Sequence, residues 1–456
     1  MILLLTWKEA VKTDFVLIRG EINGAEIDTI YLQKEGYSET FVKHSISISK
    51  NQTFSDTLDL WHGYYNLTVG QNSYSLYLEP KFNLKFKIEL QKGIIKYDGI
   101  GQKENNYLIA KKELRKKTFD VDHYKHFSGL DENQFLKTND SVRSLYLSLL
   151  SQSNIENDQF ESLEKKSILL DKVYNLMNFE GDKRLLTTQK EFKVSNSFPN
   201  PTKLININDE RFLEIPFFIP LLANNQYFFL KDRVNLDTTS EVLKCVDCDQ
   251  FIEYLNFMGN HLKNEKVRNS VTFLIAKWML GKTENIDDFF NSYKSINSDS
   301  KNLKYITNIY KNLKSTQGKN FLMKTVLKDG DGKHFTLEDF AGKHLYLDFW
   351  SSSCKPCIEE FKYFNELSKE LKKQKIAFVG INIWDTKERW QQTIEKHDLR
   401  GIQLTAGENL KFLDSLGVSG IPRYMLVNDV GDVMEFNAKR PSDIQSKWEF
   451  EKMITE

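Results

Sequence analysis

The sequence predicts a multidomain protein: an antiparallel β-sandwich, an all-α middle region and a C-terminal α/β domain. Three observations predict it. A chain of 456 residues exceeds what one core usually organises, so two to four domains are expected. The hydrophobic period changes along the chain, from two-residue alternation before residue 100 to three- and four-residue steps after it. Beyond about residue 320 strands and helices alternate, the pattern of a mixed sheet covered on both faces.

The first block, 1–101, holds short β-rich runs: Phe15-Val-Leu-Ile-Arg, Thr29-Ile-Tyr-Leu-Gln, Tyr64-Tyr-Asn-Leu-Thr-Val, Ser75-Leu-Tyr-Leu-Glu and Phe82-Asn-Leu-Lys-Phe-Lys-Ile. Turn formers at Asn23-Gly24, Gly36 and Gly70 separate them, at the spacing of a small antiparallel sandwich. The second block, 102–316, follows the Gly99-Ile-Gly101 break and reads as helical throughout. Its apolar stripes run through Val142 to Leu150, Phe160 to Leu176, Val267 to Leu280, Ile286 to Tyr293 and Leu303 to Leu313; Ser240 to Leu262 fits the same pattern. The polar stretch Ser315 to Asn320 reads as a linker. The third block, 317–456, opens with a hairpin, Val326 to Phe335, turning at Asp-Gly. A strand (345–349), a helix (356–373), a strand (376–383), a helix (386–397) and a short strand near Leu404 follow. A helix (409–416), strands at 423–428 and 432–436 and a last helix (441–454) complete it.

The 63 basic and 63 acidic residues balance, which argues against nucleic acid or an anionic membrane as the main partner. An aromatic content of 13 % suits a well-packed globular protein. No segment has transmembrane length. The apolar start, Met1 to Leu5, lacks the basic region and cleavage site of a complete signal peptide, and reads as the tail of an export signal or as a first strand. His334, His344 and His397 have no ligand spacing.

The four cysteines form two pairs, Cys245/Cys248 and Cys354/Cys357, too few for a disulfide scaffold in a chain of this size. The pairs lie far apart and Pro356 sits inside the second, which disfavours a shared zinc site, so no metal and no cofactor are expected. The second pair follows a run, Leu345 to Trp350, that is apolar enough to be buried on both faces, except for Asp348. Ser351 to Ser353 then turn the chain and Cys354 opens a helix. There it faces unpaired backbone N–H groups and the positive end of the dipole, which favour thiolate, the nucleophilic form. Lys355 adds a cation beside it, and Pro356 is tolerated in a first turn. Cys357, one turn on, shares a face with Phe361, Phe364 and Leu371, so it is the expected buried, resolving partner. Cys245-Val-Asp-Cys248 opens no strand–helix unit and reads as structural cysteines or a local disulfide.

Phe349-Trp-Ser-Ser-Ser-Cys-Lys-Pro-Cys357 resembles the thioredoxin signature, and most closely the TlpA/ResA branch of bacterial envelope thioredoxins. The lead-in Phe335-Thr-Leu-Glu-Asp-Phe-Ala-Gly-Lys343 and the later Gly417-Val-Ser-Gly-Ile-Pro-Arg423 match as well, so the resemblance runs from about residue 321 to the end. It implies a thioredoxin-like fold for the C-terminal α/β domain. It also implies a thiol–disulfide oxidoreductase of the periplasm or cell envelope, working as a reductant on protein thiols and disulfides and reset by an external electron donor. By the same resemblance Pro422 is the cis-proline facing the disulfide, and the backbone of Ile421 pairs with an extended substrate. Asp348 is the buried acid that helps deprotonate the resolving cysteine, and Glu360 a second acid near the thiols. Trp350 and Lys355 join Ile421 and Pro422 as the expected partner contacts. One departure stands out: Ser353 occupies the place where the family usually carries Trp, which alters the partner-facing surface and leaves the redox pair intact.

The first block, with Gly20-Glu-Ile-Asn-Gly24, Ile30-Tyr-Leu and Gly99 to Leu108, is similar to the β domain that precedes TlpA-like domains. A peroxiredoxin would need Pro-x-x-x-Thr-x-x-Cys, and no such string precedes Cys354. A reading from another class is an envelope binding protein whose CxxC is structural or redox-sensing.

Overall fold

The computed structural model describes residues 15–36, 43–70, 72–118, 127–234, 236–237, 244–245, 248–283, 285–316, 322–407, 412–413, 416, 418, 420–443 and 450. The chain forms two compact units, residues 1–246 with 262–271, and residues 247–261 with 272–456. The boundary therefore falls inside the helical stretch, whereas the three sequence blocks follow secondary-structure content.

The first unit begins with eight strands: β1 (Val16–Asn23), β2 (Thr29–Lys34), β3 (Lys43–Ser47), β4 (Thr53–Leu58), β5 (Gly63–Val69), β6 (Asn72–Leu78), β7 (Asn83–Glu89) and β8 (Ile94–Ile100). They form two four-stranded sheets, ordered β4-β1-β7-β8 and β3-β2-β5-β6. The expectation of a purely antiparallel arrangement is corrected at one pair: β1 runs parallel to β7, with Leu17 opposite Asn83 and Ile22 opposite Ile88. No tight turn joins these two strands, so none dictates their direction. Their alternation buries Ile18 and Ile22 with Leu84, Phe86 and Ile88 in either direction. Gly20 lets the strands close up, since a Cβ there would lie 2.7 Å from the Phe86 Cβ and 2.8 Å from the Phe54 ring.

Helices α1 (Gln102–Thr118), α2 (Glu132–Gln152), α3 (Asp158–Leu186), α4 (Phe218–Asn224) and α5 (Gln226–Leu230) follow. Asp131 caps α2, accepting from the Gln134 N–H at 2.8 Å while the Gln134 side chain accepts from the Asp131 N–H at 3.2 Å. Asn157 caps α3 through the Phe160 N–H at 3.0 Å. Glu164 of α3, fully buried, accepts from Tyr64 Oη (2.5 Å), Tyr107 Oη (3.0 Å) and Lys111 Nζ (2.7 Å), tying β5, α1 and α3 through one carboxylate.

The helical reading of Ser240 to Leu262 is corrected at its front half. Cys245 lies on a short strand, β10 (Lys244–Cys245), antiparallel to β9 (Leu236–Asp237), and α6 (Gln250–His261) starts only after Asp249. The Asp249 carboxylate accepts from the Phe251 N–H at 2.9 Å, and a good N-cap sets where a helix begins. Cys248 is disulfide-bonded; the Cys245 side chain lies outside the described residues.

The second unit contains α6, the end of α7 (Glu265–Met279), α8 (Ile286–Ile296), α9 (Ser300–Thr316) and a seven-stranded sheet. Its strands are β11 (Val326–Lys328), β12 (His334–Thr336), β13 (His344–Trp350), β14 (Ile376–Ile383), β15 (Ile402–Gly407), β16 (Arg423–Val427) and β17 (Val433–Glu435), in the order β12-β11-β15-β14-β13-β16-β17. Helix α10 (Lys355–Glu370) follows β13, and α11 (Lys387–Lys396) follows β14. Leu345, Leu347, Phe349, Val379, Ile381 and Met425 form the core on one face of this sheet. Tyr346, Trp350, Cys357, Phe361, Phe364 and Phe378 form it on the other. The Asp-Gly hairpin is present: β11 pairs with β12, and Asp329 accepts from the N–H groups of Asp331 and Lys333. The apolar start, most of the helix expected at 409–416 and most of the one expected at 441–454 lie outside the described residues.

Candidate redox site

Strands β13 and β14 run parallel, with Trp350 opposite Asn382, while β16 runs antiparallel to β13, with Arg423 opposite Phe349. The ends of β13 and β14 and the start of β16 therefore meet at one edge of the sheet. The turn 351–354, the loop 383–386 and the Ile421-Pro422 segment converge there.

Cys354 is the N-cap of α10, and its sulfur accepts from the Cys357 N–H at 3.2 Å. It is bonded to Cys357, with Cα atoms 5.3 Å apart. Burial separates the two sulfurs: Cys354 is partly exposed, while Cys357 is 0 % exposed among Trp350, Phe361 and Phe364. After reduction only Cys354 is open to an incoming disulfide. Its thiolate would sit against the helix N-terminus, which lowers a thiol's proton affinity. Lys355 points to solvent, its Nζ 4.0 Å from the Glu359 carboxylate.

Asp348 lies between Tyr346 and Trp350 on β13, on the alternation that faces α10, where Cys357 packs. It is 1 % exposed and neither carboxylate oxygen has a hydrogen-bond partner. Burial, reinforced by the negative charge of Glu360, pushes its proton affinity well above the usual carboxylate range. Glu360 is buried too, but its oxygens are engaged: they accept from the Ser442 N–H (2.9 Å) and Oγ (2.8 Å), with Arg440 Nη1 at 4.0 Å. Glu360 thus holds the segment 440–442 and acts on Asp348 through its charge.

The Ile421-Pro422 bond is cis and both residues are partly exposed at this edge. Trp350 is a correction. Its ring is fully buried, edge-on to Phe361 at 5.0 Å, so it offers no surface to a partner. The physical reason is that α10 covers the face of β13 to which its position points.

Sequence reasoning missed three neighbours. Asp385 accepts from the Ser352 N–H and Oγ, both at 2.6 Å, and from Asn382 Nδ2 at 2.7 Å, pinning the loop after β14 to the redox turn. Trp384, just before it, is 53 % exposed and has φ +68°. Arg423, next to Pro422, is buried; its Nη2 donates to the Gly281 carbonyl at 2.8 Å, its Nε has no partner, and burial pushes its pKa down to about 9. Only Asp385-Thr386 left a sequence signal, that of a helix cap. The contact with Ser352 needs the β13–β14 register.

A helix-capping CxxC at the end of a buried strand, a buried acid behind it and a cis-proline loop beside it define a thioredoxin-like redox domain. Residues 313–449 match the Redoxin family model. Curated relatives named thiol-disulfide oxidoreductase ResA are 30 % identical over 110 residues in Bacillus subtilis and 31 % identical over 108 residues in Geobacillus thermodenitrificans. Each alignment covers 24 % of this chain and 61 % or 62 % of the relative, so the chain spans about three-fifths of the relatives it matches. The thioredoxin domain of a Bacteroides vulgatus thiol-disulfide oxidoreductase is 22 % identical, with a TM-score of 0.28, covering 30 % of this chain and 96 % of that one. The C-terminal region of this chain therefore carries a thioredoxin-like fold and is similar to thiol-disulfide oxidoreductases of the ResA kind.

Proposed function

We propose that the protein is a thiol–disulfide oxidoreductase that reduces disulfides in protein partners through Cys354 and Cys357. The observation that carries this reading is the unequal placement of the two sulfurs, one at a helix N-terminus and partly exposed, the other sealed beneath it.

In the reduced protein the Cys354 thiolate attacks one sulfur of a partner disulfide. A Cys354–partner bond forms, the partner S–S bond breaks, and the second partner sulfur leaves as thiolate to be protonated. Cys357 then loses its proton and attacks Cys354, releasing the first partner sulfur and forming Cys354–Cys357. Two electrons and two protons pass to the partner, and an external dithiol restores the pair. Asp348 is the group suited to take the Cys357 proton when ionised, because burial has raised its proton affinity well above that of an ordinary carboxylate. Ile421 and Pro422 line the docking edge, and Lys355 adds a surface cation beside it.

The motif resemblance supports work in the cell envelope. No helix among the described residues is long and apolar enough to cross a membrane.

The test is partner capture by Cys357→Ser, which can form the mixed disulfide but not resolve it. Species held by this variant and absent from the Cys354→Ser/Cys357→Ser control are expected. An empty trap, with a potential below about −300 mV and a slow thiol, would instead mark a structural disulfide and return the binding-protein reading.

A further inference from the structure

The turn that carries Cys354 presents no large apolar side chain to a partner, although Ser353 is exposed. Ser351 is buried, and its Oγ lies 2.9 Å from that of Ser353. Ser352 is committed to Asp385. Among the described residues of the three converging loops, the large exposed apolar side chain is Trp384. A bulky residue with φ near +68° is a genuine backbone outlier, of a kind that persists only where the surroundings impose it. Here they do. Asn382 is fully buried and Asp385 has a side chain only 4 % exposed, and together they bond the loop to Ser352, two residues from Cys354. On the other side of the turn, Ile421 makes no hydrogen bond to another described residue, leaving its backbone N–H and C=O for an extended chain.

We propose that Trp384 determines partner specificity: with the Ile421 backbone it selects an extended peptide segment that carries an apolar side chain next to its disulfide cysteine. The peptide backbone runs along Ile421, its cysteine sulfur meets Cys354, and the neighbouring apolar side chain covers the indole. This rests on the oxidoreductase reading and adds to it the class of segment preferred. A fixed aromatic ring is suited to the purpose, since it gives a large contact area at little cost in conformational entropy.

The experiment compares two short disulfide peptides, identical except for Phe or Ser beside one cysteine, reacting with the reduced full-length protein. The second-order rate constant for the Phe peptide is expected to exceed that for the Ser peptide by about tenfold. In Trp384→Gly, where the backbone conformation is unstrained, and in Trp384→Ala, that ratio falls to within twofold, while Trp384→Phe keeps most of it. A ratio near one in the natural protein, or one that survives Trp384→Gly, overturns the inference. Equal slowing of both peptides in Trp384→Gly also overturns it, because that marks a structural role. If neither peptide reacts with the natural protein, the oxidoreductase reading falls, and this inference with it.

Discussion

Asp348→Asn isolates what an unpaired buried carboxyl does to this domain. Burial and the charge of Glu360 raise the proton affinity of Asp348 in the folded state. The unfolded chain therefore releases this proton first, from its ordinary value of 3.8 upward. The stabilising contribution of the protonated group is complete below that pH and is lost as pH rises towards the raised folded value. The loss is about 1.4 kcal/mol per pH unit. In the Asn variant this slope vanishes. As pH rises above the ordinary value the variant should gain steadily on the natural protein, on top of a constant penalty of roughly 1–3 kcal/mol for burying an unpartnered amide. Hydrogen exchange of peptides covering β13 and β14, compared between the two proteins at each pH, reads the opening free energy of this sheet. A difference that does not change with pH would refute the account, since it would mean the carboxyl is ionised and satisfied when folded. The same variant should still form the mixed disulfide at Cys354 but resolve it about a hundredfold more slowly. An unchanged resolution rate would remove Asp348 from proton transfer.

Glu360→Gln should move the titration of Asp348 to lower pH, because the variant removes a negative charge that raises it; a titration followed through the pH dependence of mixed-disulfide resolution that stays put would show the charge does not reach Asp348. Arg423→Ala takes one of two donors from the Gly281 carbonyl, leaving Asn437 Nδ2 at 3.0 Å, so amide exchange at 281–285 should quicken roughly tenfold or more. Slower or equal exchange there would mean the arginine holds nothing. In the first unit, Tyr64→Phe strips a donor from the buried Glu164 carboxylate and should cost about 1–3 kcal/mol. Lys111→Met leaves that carboxylate without its cation and should cost about 3–5 kcal/mol. Hydrogen exchange of α3 measures both, and equal effects would contradict the ranking.

The parts of this molecule legible in the sequence are those whose causes lie close together in the chain. A doubly buried strand, a serine turn, a cysteine at the helix start and an apolar stripe through Cys357 fall within a few tens of residues, and β13, α10 and the bonded pair stand where they were expected. The misses share the opposite property. The parallel pairing of β1 with β7 joins strands that no turn aligns. Trp350 ends a run that by itself reads as buried; its expected partner contact comes from the resemblance alone, and the cover supplied by α10 makes it core. The stretch before α6 has helical spacing, but Asp249 satisfies the first amides so well that the helix begins there and not earlier.

The same distinction explains how the redox turn can lack a large side chain and still have an apolar partner surface. The serines at 351–353 spend their hydroxyls within the protein's own network: Ser351 and the exposed Ser353 bond each other, and Ser352 bonds Asp385. These bonds fix the turn that aims the Cys354 sulfur at the helix N-terminus, and they require small side chains. An aromatic contact for the partner then has to come from a neighbouring loop. Because β14 runs parallel to β13 with Trp350 opposite Asn382, the residues that follow β14 emerge beside the turn. Asp385 locks that loop in place, and the residue before it is carried to the edge with its ring exposed. Positioning the nucleophile and selecting the partner are thus assigned to two loops joined by a single carboxylate. Asp385→Asn should accordingly disturb both, loosening the turn around Cys354 and weakening the preference that depends on Trp384. Trp384→Gly should affect only the second. If Asp385→Asn changes the peptide preference while the reactivity of Cys354 towards a small thiol probe stays the same, the two functions are not coupled through that carboxylate.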